Sequence, residues 1–232
     1  AASGEKQIAL VKALGVLKYK GAVSALTTLA GTRGEVKKQA LFALAEIGDE
    51  QATSVIVDAA KVAGYRSDES EAMFSYLHFV NRMAENGQKD VAKKLCDEVM
   101  KNCINTEQLI FRSAALKTLR TYFGSETTPL LLKEIKNSDA AYRNAVLIYA
   151  ADGMTAGEAG KWIVVMKKAP AETKVQIIPM LAKRTEPAIL SKCILPSLND
   201  DSQEVRIAAI HALAVNQKGK AIPVLLKQLE KA

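Results

Sequence analysis

The sequence predicts an all-α chain, a right-handed α-solenoid (an α-α superhelix) of about seven stacked helix pairs. Three observations carry that expectation. Apolar residues return at i, i+3/i+4, i+7 and i+8, as in Val205, Ala208/Ala209, Ala212 and Leu213, the spacing of one helix face. The same pattern recurs down the chain with a period of 30–39 residues. Aromatic residues make up only 5% of a chain that is 49% hydrophobic and rich in Ala and Leu, a balance that favours close helix packing over a β-sandwich.

Each element follows from sliding the chain along itself. The clearest unit is "EVRIAAIHALAVNQKGKAIPVLL" from Glu204, and "EVKKQALFALAEIGDEQATSVIV" from Glu35 overlays it at a shift of 169. Val36, Lys37, Ala43, Leu44, Ala52 and Val55 then fall on Val205, Arg206, Ala212, Leu213, Ala221 and Val224. A shift of 30 brings the opening unit, from Glu5, onto the second. A shift of 94 brings Phe111, Arg112, Ala115, Leu119 and Pro129 onto the last. Weaker copies begin at Tyr142 and Thr173, and an irregular one spans Glu71–Leu95. The units start near 5, 35, 71, 110, 141, 172 and 204, so residues 1–232 read as a single repeat domain. Within a unit, a first helix ends in a Gly-rich or polar turn ("GDEQ", "GSET", "NQKG") and a second helix follows, as in Ala221, Val224, Leu225 and Leu229. One such pair cannot bury its apolar face alone, so neighbours must stack.

These residues resemble HEAT repeats, in particular the short HEAT-like class associated with phycobilisome lyases. The last unit matches best, through Asp201, Val205, Arg206, Ala209, Ala212, Leu213, Ala221, Pro223 and Leu225. The resemblance covers nearly the whole chain and is weakest in the third unit, which lacks the Val-Arg pair and has a longer connection, "GYRSDES". It implies that the Val-Arg helix lines a concave face, that its partner lies on the convex face, and that the acid and the arginine support the stack and its turns. Local physics agrees: Asp201 or Ser202 is placed to cap the last first-helix, and Glu204, three residues after Asp201, completes a capping box.

The chemistry-bearing residues read mostly as scaffold. Arg206 could hold a phosphate, but Lys37, Arg112, Arg143 and Lys174 occupy the same column, and a residue that recurs with the repeat is a packing residue. The two histidines, His78 and His211, lie in different units and form no metal-binding cluster with the cysteines. No nucleophile has an evident base. "GMTAGEAG" (153–160) lacks the Lys-Ser/Thr of a phosphate loop and reads as a loose turn between helices. Trp162, in an unusually continuous apolar run, reads as core packing, with an exposed aromatic anchor for a partner as the alternative. No catalytic residue, metal site or cofactor is therefore expected.

More telling are two columns expected to face outward from the first helices. One holds Lys12, Phe42, Lys117, Ile148, Pro179 and His211; the other Ile8, Lys38, Ser113, Asn144, Val175 and Ile207. A merely solvated face would be mostly charged. This one mixes apolar and basic residues, the mark of a partner-binding face, unless tight curvature buries it. The expected function is a non-catalytic protein–protein interaction scaffold, with a protein partner or another domain of a longer chain as the ligand. Nucleic-acid binding through a basic groove is the alternative: the net charge is +7, but residues 35–109 alone carry −4. A lyase accessory is a third reading, by family analogy only.

Cys96, Cys103 and Cys193 are too few and too irregular for a disulfide framework. Read as buried free thiols they lean to a reducing compartment, although a processed secreted chain would look the same at its N-terminus. No apolar run approaches the ~20 residues of a membrane span. The last helix keeps an apolar seam where a solenoid end would be polar, so the chain is expected to be a segment of something longer or to pair through an end.

Overall fold

The computed structural model describes residues 2–230. Among them there is no strand. They form two compact units, one up to Tyr122 and one from Phe123.

In the first unit, α1 (Ala2–Val16), α3 (Gly34–Ile47) and α5 (Ala72–Glu85) lie side by side, and α2 (Val23–Ala30), α4 (Thr53–Val62) and α6 (Lys89–Asn102) back them. α7 (Leu109–Phe123) extends the inner layer, with Phe111 edge-on to Phe74 at 5.7 Å and Thr118 Oγ1 donating to Asn81 Oδ1 at 2.9 Å. The periodic apolar positions fill the core. Leu41, Leu44, Met73, Tyr76, Phe79 and Met83 are fully buried, each contributing about 1.5–3 kcal/mol by the area it removes from water. Tyr76 is accommodated because its hydroxyl donates to the Leu95 carbonyl at 3.0 Å. Two glycines are demanded by geometry. Gly48 ends α3 in a left-handed conformation, φ 60°, where a Cβ would also meet Arg82 Cβ at 2.8 Å. A Cβ on Gly15 of α1 would meet Ala43 Cα at 2.9 Å, so this glycine sets how closely α1 and α3 approach. The long "GYRSDES" connection is tied down. Tyr65 donates to Glu98 Oε1 at 2.5 Å, and Gln108 Nε2 donates to the Gly64 carbonyl at 3.0 Å.

In the second unit, α9 (Ala140–Ala151), α11 (Ala171–Ala182) and α13 (Gln203–Gln217) form the inner layer. Behind them lie α8 (Thr128–Glu134), α10 (Ala156–Lys168), α12 (residues 187–197) and α14 (Ile222–Leu229). Trp162 lies in the core of this unit with Ile163, Ile177, Ile178, Leu181 and Leu213. The middle of α12, Leu190–Ile194, is a π-helix. Pro196 explains it: proline removes an N–H and crowds the carbonyl four residues earlier, and a local widening relieves both. The Gly-rich stretch 153–160 corrects the expectation of a loose turn. Only its start is a turn; Thr155 and Glu158 make a capping box, and α10 runs through Gly157 and Gly160. The cap, the 2.5 Å hydrogen bond from Thr128 to the buried Glu158 and the burial of Trp162 together outweigh two glycines at about 1 kcal/mol each. From the second onward, the inner helices begin at Gly34, Ala72, Leu109, Ala140, Ala171 and Gln203, within one residue of the starts read from the repeat, while α1 begins at Ala2, three residues before its expected start.

Candidate interaction face

Four of the five residues of the basic column act on the joints between repeats. Arg206 Nη1 donates to the carbonyls of Asp200 and Asp201, at 2.8 and 2.9 Å. Arg143 Nη1 does the same with Asn137 and Ser138, at 2.9 and 2.8 Å, and its Nε reaches Gln176 Oε1 at 2.6 Å. Arg112 donates to the carbonyls of Met100 and Cys103. Lys174 instead pairs with Asp200 Oδ2 at 2.7 Å, a contact that holds this carboxyl below its ordinary range. Lys37 is half-buried on α3. The expected capping box of Asp201 with Glu204 does not form. Ser202 is the cap, accepting from the Val205 N–H at 3.4 Å. The helix starts one residue later than such a box needs, so Glu204 instead accepts from the Ser202 hydroxyl at 2.6 Å, and Asp201 contributes its carbonyl to Arg206.

The outward columns emerge on the inner layer of each unit. In the first, Lys12, Phe42 and Lys117 are exposed and Ile8 and Lys38 half-buried. Lys12 and Phe42 line a shallow groove of about 250 Å³ between α1 and α3, with Gly15, Val16, Gln39, Ala43 and Glu46. Polar contacts unforeseen from the sequence occupy this face. Phe42 stacks on His78 with centroids 5.2 Å apart and planes at 10°. His78 Nε2 lies 2.9 Å from Glu46 Oε1. Arg82 bridges Glu46 Oε2 at 2.8 Å and Glu85 Oε2 at 2.7 Å. Lys38 is taken by Glu71 at 2.7 Å. Burial pushes the Glu46 carboxyl up, but the hydrogen bond from Arg82 and the neighbouring charges of His78 and Arg82 outweigh it, and the net shift is downward. The signal in the sequence is a repeat step: Arg82 stands 36 residues after Glu46, as Glu71 does after Glu35.

In the second unit, Asn144, Ile148, Ile207 and His211 are exposed and Val175 is half-buried. Val175, Pro179, Ile207 and His211 come together, with Ala182, Lys183, Glu204 and Val215, in a groove of about 520 Å³ between α11 and α13. Its floor is aliphatic, with Glu204 at one end and Lys183 at the other. Ile148 and Asn144 lie outside it, on α9; Asn144 Oδ1 accepts from Gln176 Nε2 at 2.8 Å.

The described residues contain no cluster of His, Cys, Asp or Glu that could hold a metal. Burial pushes the thiols up, to about 12 for Cys96 and Cys193 and about 11 for Cys103, so none is a reactive thiolate at neutral pH. No helix among the described residues is long and apolar enough to cross a membrane.

Within each unit, helix pairs stacked with their first helices side by side define an all-α helical-repeat protein. Residues 36–61, which make up most of α3 and α4, match the PBS lyase HEAT-like repeat. Comparison with curated proteins gives no match.

Proposed function

We propose that this chain is a non-catalytic scaffold that binds a protein partner on the open layer of its first helices. The observation that carries the reading is the α11–α13 groove: an aliphatic trough lined by Val175, Pro179, Ile207 and Val215, on a repeat scaffold whose recurring arginines are spent on its own joints. Exposed aliphatic surface of this kind fits the apolar side chains of a partner segment. A phosphate backbone would call for a row of cations, and this groove offers one lysine and a glutamate.

The test is affinity capture from native lysate with the wild-type chain and an Ile207→Asp variant in parallel, together with titration of mixed-sequence DNA at low and high salt. The expected result is a protein retained by the wild type and lost with the variant, and no salt-sensitive DNA binding. Steeply salt-dependent DNA binding, equal in both proteins, would replace this reading with a nucleic-acid one.

A further inference from the structure

Between the end of α8, the end of α10 and the start of α11, the second unit holds a pocket of about 550 Å³ that shares no lining residue with the α11–α13 groove. That volume falls in the range of about 300–1,000 Å³ usual for small-molecule sites. Its aliphatic lining is Ile135, Val164, Val165 and Pro170; Ile135 is buried and Val164 is 55% exposed. Its polar lining includes Lys136 and Lys168, both exposed and neither ion-paired among the described residues. Thr173 also lines it. This residue is only 5% exposed, yet its hydroxyl has no hydrogen-bond partner among the described residues. A buried hydroxyl is normally paired, so this one is left for a ligand atom.

The walls are fixed in advance. Arg143 Nη1 holds the Asn137 and Ser138 carbonyls at 2.9 and 2.8 Å, and the Thr173 N–H donates to the Pro170 carbonyl at 3.0 Å. No side chain caps the start of α11, and the positive end of its dipole lies there. The surrounding charges set the sign of the ligand. Glu134 and Asp139 are taken, accepting from the Tyr142 hydroxyl and N–H, each at 2.7 Å. Lys174 is paired with Asp200. Lys133 and Lys167, close in sequence to the lining lysines, are exposed and add positive charge. One carboxylate, Glu172, stands at the pocket, 3.8 Å from Arg143. The balance favours an anion, and Glu172 penalises a second negative charge on it.

We propose that this pocket binds an aliphatic monoanion, a carboxylate on an alkyl chain. Lys136 and Lys168 hold the carboxylate, the Thr173 hydroxyl donates to it, and the chain lies against Ile135, Val164 and Val165.

Calorimetric titration with octanoate, octanol and octyl phosphate, each below its micelle concentration at pH 8, tests this. Octanoate is expected to bind at one site, at least about 10-fold tighter than the uncharged octanol, and tighter than the doubly charged octyl phosphate. Lys136→Ala combined with Lys168→Ala is expected to weaken octanoate at least about 10-fold, with an unchanged far-UV spectrum because both lysines are exposed. Thr173→Val, which keeps the shape and loses the hydroxyl, is expected to weaken it about 10-fold. Ile207→Asp, in the other groove, is expected to leave it unchanged. No octanoate binding up to millimolar concentration, octanol bound as tightly as octanoate, indifference to the double lysine variant, or binding lost with Ile207→Asp overturns the proposal. Octyl phosphate bound more tightly than octanoate overturns the monoanion assignment, and indifference to Thr173→Val overturns the hydroxyl contact.

Discussion

The inner layers of the two units are built from the same repeat and filled in opposite ways. In the first, the open face is cross-linked: Glu46, His78, Arg82 and Glu85 form a chain of contacts from α3 to α5, Phe42 lies against His78, and Lys38 is held by Glu71. In the second, the face between α11 and α13 is an unlinked aliphatic trough, and the strong polar contacts lie at the joints, where Arg143 and Arg206 hold backbone carbonyls. The backbone repeat therefore sets where a side chain points, and the letters in the outward columns decide whether that face stabilises the scaffold or is left for a ligand.

The largest expected effect falls at a joint of the second unit. Arg143→Met removes a buried guanidinium and leaves the Asn137 and Ser138 carbonyls and Gln176 without their donor. A loss of about 3 kcal/mol is expected in chemical denaturation. Gly15→Ala comes next. Its new methyl would press on the backbone of Ala43, which cannot move aside, and a loss of about 2 kcal/mol is expected. Glu46→Gln tests whether the first unit's face is structural. Arg82 and His78 lose their shared anion, and about 1–2 kcal/mol should go at neutral pH. Ile207→Gln, on the second unit's face, should change stability by less than about 0.5 kcal/mol while abolishing partner capture. If Glu46→Gln is silent and Ile207→Gln destabilises, the contrast between the faces is reversed.

Acid sharpens the same contrast. The Glu46 carboxyl titrates below its ordinary value of 4.5 in the folded chain. The unfolded chain therefore takes up the proton first as pH falls, and the stabilisation, fully present above 4.5, is lost as pH drops through the folded value. Asp200, lowered from 3.8 by the hydrogen bond from Lys174, behaves alike at lower pH. Urea melts between pH 6 and 3 should show the stability gap between wild type and Glu46→Gln closing below about 4.5. A gap constant with pH would show that the charge of Glu46 is not what matters.

The fold was legible because it depends on periodicity. Columns such as Val36/Val205 and Ala43/Ala212 repeat, and repetition separates packing residues from the rest. The basic column was legible for the same reason, although the main-chain carbonyls that its arginines hold leave no trace in sequence. The two outward columns were legible as positions, and the structure brings Val175, Ile207 and His211 into one groove. What escaped depends on packing between neighbouring repeats. Glu46 and Arg82 meet only because α3 and α5 lie in one register. Ser202 rather than Asp201 caps α13 because the chain turns one residue later than the motif indicates. The helix through Gly157 and Gly160 forms because Trp162 and Glu158 are buried, a tertiary gain invisible to local propensity.

The arginine contacts also impose an order in time. Arg143 and Arg206 each lie downstream of the loop whose carbonyls they hold, by five or six residues. On the ribosome, each joint leaves the exit tunnel before the side chain that locks it. A nascent chain therefore carries one open hinge at its growing end, and closes it only when the next helix has emerged.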